Sequence, residues 1–211
     1  MGDEAVVLGL DTAGPVIGAA LVGAGEPRVW SARATRGADA LLLPALGELL
    51  VGVKRPDLIA VSVGPGAFTS LRVGVAVALG LAVAHRCQVV PLSSLDARAL
   101  AAGGERVLAL LDGRKGRAYA AWYPEFFAAE AHDVAPDEAI ALARAPFVAT
   151  GEGALVWGAM IRAAGGAVHP HADASPALAV ARLGQRHPER AIAPDAVRLT
   201  YLRAADAVLP T

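Results

Sequence analysis

The sequence is poor in cysteine, with a single one, Cys87, among its 211 residues. One thiol forms neither an internal disulfide nor a Cys-x-x-Cys metal site, which is typical of proteins in a reducing compartment. The first residues, Met1-Gly2-Asp3-Glu4, are acidic, whereas a signal peptide begins with a basic segment. We therefore expect a cytoplasmic protein.

Charged and aromatic side chains are also scarce. Charged residues make up 18% of the chain, aromatic residues 5%, and the formal net charge is -1. Such a chain has no general attraction to nucleic acid, so any RNA contact must be local or made by a partner. Mean hydropathy is +0.47, yet the longest uncharged helical stretch, residues 73–84, is shorter than the ~20 residues of a membrane span. The apolar excess favours deep burial or a protein interface, and we expect no membrane association.

The usual motifs of catalysis and metal binding are missing. The five histidines form no His-Glu-x-x-His and no pair four apart on a predicted helix, and there is no Gly-x-Ser-x-Gly. The turn Gly64-Pro65-Gly66 lacks the Gly-Lys-Ser/Thr of a Walker A loop, and Thr69 stands where a dinucleotide fingerprint has its third glycine. We therefore predict no catalytic residue and no metal ligand.

The chain does contain a repeated order of predicted elements. Residues 5–102 read as three strands, a helix, a strand, a helix, a strand and a helix, and a similar order restarts after Gly103-Gly104. This repetition predicts an α/β protein with the duplicated two-lobe fold of the actin/Hsp70/sugar-kinase class (ASKHA, ribonuclease H-like). A single doubly wound sheet is the competing topology. The lobes would be residues 1–103 and 104–211, and the tail can pack back on the first lobe.

Four residues are candidates for a nucleotide or anion site: Asp11, Gly64, Gly66 and Arg72. A strand, a glycine turn and a helix N-terminus over residues 59–74 can bind an anion, or they can form a rigid corner that packs on a partner. In an ATPase of this fold Asp11 would reach Mg²⁺ through a water molecule. The alternative is that its carboxylate accepts hydrogen bonds from nearby backbone N–H groups. For Asp112 we favour this second alternative. Arg72 either contacts an anion, or it pairs with Asp57, with Asp11 or with a backbone carbonyl.

The helix predicted from Gly66 to His85 is the most informative element. Small residues recur along it four apart, as Gly74, Ala78 and Ala82 and as Ala76, Gly80 and Ala84, so another helix can approach closely. Either this helix is buried on all sides, or one stripe docks on a partner together with a leucine-rich helix at residues 40–53. The predicted interface residues are Leu43, Leu46, Leu50, Gly74, Val77, Ala78, Gly80, Leu81 and Ala84. The same surface predicts self-association as a homodimer.

Six short segments follow one another in the order expected for a known protein family, at residues 7–12, 42–44, 64–74, 91–95, 111–119 and 201–203. Together they resemble the TsaB family, also called YeaZ, over essentially the whole chain. The glycine–proline–glycine segment is the most specific of them. It departs from the usual family segment Gly-Pro-Gly-Ser-Phe-Thr-Gly-Leu-Arg at Ala67 and Ser70. Asp39-Ala40 stand where the family usually has a histidine.

The resemblance implies a non-catalytic, cytoplasmic subunit of the glycoprotease M22-like group. Such a subunit binds and activates its catalytic paralogue TsaD, which transfers a threonylcarbamoyl group to N6 of adenosine 37 in tRNA, and the ATPase TsaE joins the complex. The interface is formed by the helices of the first lobe. The resemblance implies no cofactor of its own and leaves open ATP or ADP with Mg²⁺ at the partner interface. A stand-alone ATPase or small-molecule kinase of the same fold is the competing interpretation, based on Asp11, Asp112 and the glycine turns.

Overall fold

A computed structural model describes residues 4–34, 37–103, 105–125 and 129–203. The sequence predictions for the acidic start at residues 1–3, for Gly104 at the lobe boundary and for residues 204–211 of the tail fall outside these ranges. The side chain of Asp39 is also outside the description.

Five strands form the first sheet. They are β1 (Val7–Asp11), β2 (Val16–Val22), β3 (Arg28–Arg33), β4 (Leu58–Gly64) and β5 (Gln88–Ser93). Their order is β3-β2-β1-β4-β5. β2 runs antiparallel to β1 and β3, whereas the β1–β4 and β4–β5 pairs are parallel. β1 and β4 read as continuous apolar runs because both faces of these central strands are covered.

Helices α1 (Ala38–Leu49) and α2 (Phe68–His85) cover one face of this sheet, and α3 (Ser94–Ala101) lies on the other. α1 ends four residues before the predicted Val53. The Arg28 guanidinium on β3 donates to the carbonyls of Leu49 at 3.0 Å and Val51 at 2.6 Å. Carbonyls at a helix C-terminus have no partner within the helix, so this arginine stabilises the end of α1.

The second sheet also has five strands. They are β6 (Val107–Arg114), β7 (Arg117–Tyr123), β8 (His132–Val134), β9 (Phe147–Thr150) and β10 (Gly166–Val168), in the order β10-β9-β6-β7-β8. Helices α4 (Pro136–Ala141), α5 (Glu152–Val156) and α6 (Gly158–Ala163) belong to this half. The sequence pattern over residues 154–164 predicts a single helix, but the structure breaks it at Trp157 into α5 and α6. The pattern does not predict β10.

The two sheets have the same topology. Read from the antiparallel edge, the second sheet runs β8-β7-β6-β9-β10, which corresponds strand for strand to β3-β2-β1-β4-β5. In both, the first three strands form an antiparallel meander and the later strands add in parallel. This confirms the duplicated two-lobe fold, and the competing single doubly wound sheet is wrong.

The chain returns to the first sheet after β10. Helix α7 (Ala177–Arg186) packs on β1, β2 and β4. It approaches so closely that a Cβ on Gly9 would lie 2.5 Å from the Ala181 nitrogen. Further along, the Thr200 N–H donates to the Val63 carbonyl at 2.8 Å. The face of the first sheet opposite α2 is therefore completed by residues that follow the second sheet in sequence.

Helix α3 joins the two lobes. Its Leu95 and Ala99 are buried among residues of β6 and β7. At the same joint the Tyr123 hydroxyl donates to the Asp96 carboxylate at 2.6 Å. Burial raises the pKa of both groups, and the hydrogen bond from Tyr123 partly offsets this rise for Asp96. A buried apolar contact with an internal hydrogen bond makes this joint rigid.

Of the helices in the described ranges, α2 alone is long and apolar enough to cross a bilayer by length and composition. Its mean hydropathy is 1.6 over 18 residues. The core helix of a soluble protein meets the same criterion, and α2 buries Leu71, Val75, Ala78 and Ala82 against its own sheet.

Candidate functional site

The Gly64-Pro65-Gly66 turn is filled by the protein's own backbone. A Cβ on Gly64 would overlap the Thr200 carbonyl oxygen, and one on Gly66 would lie 2.5 Å from the Ala13 carbonyl oxygen. The Ala67 N–H donates to that same Ala13 oxygen at 2.8 Å. Gly64 also has φ 120°, which disfavours any residue with a side chain. These contacts fix where α2 begins.

Asp11 lies at the end of β1 and forms a buried ion pair with Arg98 of α3. Its Oδ1 and Oδ2 face Nη1 and Nη2 of Arg98 at 3.4 and 3.3 Å. Asp11 is 0% exposed and Arg98 4%. Arg98 Nη1 also donates to the Ser94 carbonyl at 2.9 Å. No sequence motif singles out Arg98, which lies on a helix of only eight residues.

Glu152, the first residue of α5, adds a second carboxylate beside Arg98. An ideal Cβ on Gly14 would lie 2.8 Å from Arg98 Nη2 and 3.2 Å from Glu152 Oε2, so both groups lie against the same turn. Burial raises the pKa of Glu152, and the nearby Arg98 charge opposes this rise. Glu152 belongs to Gly151-Glu152-Gly153, which follows β9 as Gly64-Pro65-Gly66 follows β4. This correspondence is the signal that could have found it.

A cleft of about 350 Å³ opens between the lobes beside this network. Gly14, Gly66, Phe68, Arg114, Glu152 and Arg203 are among the residues that line it. Mg²⁺ prefers several water and carboxylate ligands in an octahedron. Asp11 offers neither an exposed oxygen nor space, because Arg98 holds both of its oxygens. Asp11 therefore does not fit the Mg²⁺ contact predicted for it.

Asp112 forms a local turn. Its Oδ1 accepts the Arg114 N–H at 2.8 Å, and its Oδ2 accepts from the Arg114 side chain at 3.1 Å. The hydrogen bond from a backbone N–H is the one that the sequence analysis favours for Asp112. Asp11 and Asp112 thus occupy equivalent strand ends but have different partners.

Arg72 lies in a surface cluster with two aromatic rings. Its Cζ lies 3.8 Å from the centroid of the Phe68 ring, and its Nε donates to the Tyr201 hydroxyl at 3.2 Å. The Phe68 and Tyr201 rings are 5.1 Å apart. The predicted ion pair of Arg72 with Asp57 or Asp11 is therefore wrong. The alternative, an anion contact, stays a prediction.

Helix α2 has one buried and one exposed face, so the interpretation of a helix buried on all sides is wrong. Gly74 and Ala78 belong to the buried face, and a Cβ on Gly74 would overlap Thr12 Oγ1. These two residues of the predicted interface pack within their own lobe, which corrects that prediction. Gly80 and Ala84 are exposed, and a Cβ on Gly80 would meet nothing within 4 Å. Val77 and Leu81 are partly buried against the core.

Helix α1 divides in the same way. Leu43 is 55% exposed, whereas Leu46 is buried in the core with Leu42 and Leu49. Leu46 therefore also drops out of the predicted interface, and Leu50 is partly buried. We give the name α1–α2 surface to seven exposed apolar residues of these two helices: Leu41, Leu43, Gly47, Ala76, Gly80, Val83 and Ala84.

No group of three His, Cys, Asp or Glu side chains able to hold a metal ion occurs in the described part of the chain. Cys87 is partly buried, and burial raises the pKa of its thiol. A raised thiol pKa lowers the thiolate fraction, so this cysteine is a weak nucleophile.

Comparison with known proteins agrees with the topology. A sequence model of the TsaD family, described as tRNA N6-adenosine threonylcarbamoyltransferase, matches residues 26–164. YeaZ from Pseudomonas aeruginosa, a solved structure, matches 94% of this chain and 100% of its own with a TM-score of 0.76 and 27% identity. The fold and these matches define a TsaD-type domain of the two-lobe actin/Hsp70-like class.

Two curated relatives narrow the assignment. The Haemophilus influenzae tRNA threonylcarbamoyladenosine biosynthesis protein TsaB is 36% identical over 121 residues, 54% of this chain and 51% of that protein. The Escherichia coli protein of the same name is 32% identical over 125 residues, 56% of this chain and 54% of that protein. The matches thus span about half the length of these relatives. The chain belongs to the TsaB (YeaZ) family.

Proposed function

We propose that this chain is a non-catalytic subunit of tRNA threonylcarbamoyladenosine synthesis that binds and activates a TsaD-type enzyme. That enzyme transfers a threonylcarbamoyl group to N6 of adenosine 37. The observation that carries the proposal is the α1–α2 surface, where apolar side chains stay exposed on two adjacent helices. Leu43 and Val83 are 55% and 67% exposed.

The shape of this surface favours a helical partner. Gly47 on α1 and Gly80 on α2 both have open space above them, because a Cβ at either position would meet nothing within 4 Å. Small residues allow a second helix to pack with its axis about 8 Å away, while Leu43 and Val83 supply apolar area to bury. The surface therefore suits a pair of helices from a related fold.

The rest of the assembly is part of the same proposal. A TsaE-type ATPase would join the complex, and tRNA would be reached through it, since the net charge of -1 gives this chain no general attraction to RNA. Without its partner the chain would form a homodimer through the α1–α2 surface. ATP or ADP with Mg²⁺ would be held at the interface with the partner. The complex would be cytoplasmic, in keeping with the single cysteine.

A matched pair of charge substitutions tests the docking surface. Leu43→Glu places a carboxylate on the α1–α2 surface, and Leu155→Glu places one on α5, where Leu155 is 53% exposed. Burying an unpaired carboxylate in an apolar interface costs several kcal/mol. We expect Leu43→Glu and Gly80→Glu to weaken binding to a TsaD-type protein by at least about 100-fold, or about 2.7 kcal/mol, by calorimetric titration. Leu155→Glu should bind as the wild type does.

Two results would contradict the proposal. One is wild-type affinity in both α1–α2 variants, which would place the partner elsewhere. The other is turnover of Mg-ATP by the purified chain alone, which would support the stand-alone ATPase. Light scattering after size exclusion also tests the homodimer, because Gly80→Glu should convert it to a monomer while circular dichroism stays unchanged.

A further inference from the structure

The buried charges at the base of the cleft connect three parts of the fold. Asp11 ends β1, Arg98 lies on α3, and Glu152 begins α5 on the second sheet. The Arg98 guanidinium contacts both Asp11 oxygens at 3.3 and 3.4 Å. Glu152 lies close enough for its charge interaction with Arg98 to oppose the effect of burial. Arg98 thus pairs with Asp11 of its own lobe and has the carboxylate of Glu152, from the other lobe, close by at the Gly14 turn.

Burying these charges is costly, and good geometry is what offsets the cost. A buried ion pair gains little over apolar packing unless its remaining hydrogen-bonding groups are satisfied. Arg98 meets this condition, because its third contact is the Ser94 carbonyl at 2.9 Å. Removing the guanidinium alone would leave Asp11 and Glu152 facing each other without a counter-charge.

The space around the guanidinium is full. A Cβ on Gly14 would lie 2.8 Å from Arg98 Nη2, so the β1–β2 turn closes over it. The position at the end of β1 is where a nucleotide-binding member of this fold class would direct its aspartate toward a metal. In this chain a side chain already fills that position.

We propose that Arg98 is a built-in cation that replaces a metal ion between the lobes, pairing with Asp11 beside Glu152 and closing this end of the cleft to Mg²⁺–nucleotide. The proposal does not rest on the docking function, because it concerns side chains on the opposite face of the sheet from the α1–α2 surface. Any nucleotide contact of the chain then lies outside this network.

The test exchanges the built-in cation for a free one. In Arg98→Ser, two carboxylates face a vacated space, a donor set that suits a hard divalent cation. We expect MgCl₂ to raise the melting temperature of Arg98→Ser, and Mn²⁺ to bind it in calorimetry. The wild type and Glu152→Gln, in which Arg98 still neutralises Asp11, should show neither effect. Failure of folded Arg98→Ser to respond to either metal overturns the proposal.

A second variant covers the case in which Arg98→Ser does not fold. Asp11→Asn/Arg98→Met removes both charges and keeps the volume, a replacement that buried ion pairs often tolerate. We expect faster amide exchange at Gly151, Glu152 and Gly153 than in the wild type, because the charge attraction between Glu152 and Arg98 is lost. Unchanged exchange contradicts the proposal. So does Mg-ATP binding by the wild type that Asp11→Asn abolishes.

Discussion

Replacing either of two glycines in α2 by alanine should change stability in opposite directions. Alanine is favoured over glycine in a helix interior by about 1 kcal/mol, so on propensity alone both variants gain. At Gly80 a Cβ meets nothing within 4 Å, so Gly80→Ala should raise the free energy of unfolding by about 1 kcal/mol.

At Gly74 the surroundings reverse the sign. A Cβ there overlaps Thr12 Oγ1 and lies 2.9 Å from Thr12 Cγ2. The Thr12 hydroxyl is buried and donates to the Ser70 carbonyl at 2.8 Å, so it cannot move without losing that bond. Overpacking costs about 1–3 kcal/mol and the lost hydrogen bond about 1 kcal/mol. Gly74→Ala should therefore be less stable than Gly80→Ala by about 2–4 kcal/mol.

Urea unfolding of the two variants beside the wild type measures this difference. If the free energy of unfolding falls by about 3 kcal/mol per molar urea, the unfolding midpoints of the two variants should differ by about 1 M. The midpoint of the wild type should lie between them. The double variant Thr12→Ala/Gly74→Ala serves as a control, because removing the obstructing hydroxyl should recover part of the loss. Equal stabilisation by both alanines would refute the close packing of β1 against α2.

Three further predictions concern the cleft and the joint. Burial raises the pKa of Glu152 above its ordinary value near 4.3. Just above that pH the folded chain therefore binds more protons than the unfolded chain does. Its free energy of unfolding accordingly falls as the pH rises through this window. Glu152→Gln lacks this contribution, and its stability relative to the wild type should rise from pH 4 to 7 in urea titrations; a pH-independent difference would contradict this. Tyr123→Phe leaves the partly buried Asp96 carboxylate without its donor at 2.6 Å and should cost about 1–3 kcal/mol, whereas Tyr119→Phe should cost less. Tyr201→Ala should release Arg72 and lower the stability by about 1 kcal/mol or less, with α-helix content by circular dichroism unchanged.

The fold was accessible from the sequence because its signals are local. Apolar runs ending in glycine turns mark β1, β4 and β6, and their repeated order marks the two lobes. The three-residue strand β10 is too short to give such a signal, and the break at Trp157 is marked only by the single glycine Gly158, which a helix can tolerate. These two errors arose where tertiary packing, not local preference, sets the element.

The site was less accessible because it depends on long-range pairs. Asp11 and Arg98 are 87 residues apart, and Arg72 and Tyr201 are 129 apart. Spacing within α2 identified a helix suited to close packing. The spacing could not show that Gly74 makes room for the Thr12 side chain inside the lobe while Gly80 faces open space. Both glycines belong to series of small residues with the same spacing.

The return of α7 to the first sheet has a consequence for how the molecule is made. A ribosome that has synthesised only residues 1–103 has produced β1, β2 and β4 without α7, which shares with α3 the cover of one of their faces, so Val7, Ala20 and Ala60 are less buried than in the finished fold. That half cannot reach its final structure until residue 186 has emerged. The two lobes are therefore not two successive folding units, and α7 makes completion of the first depend on synthesis of the second.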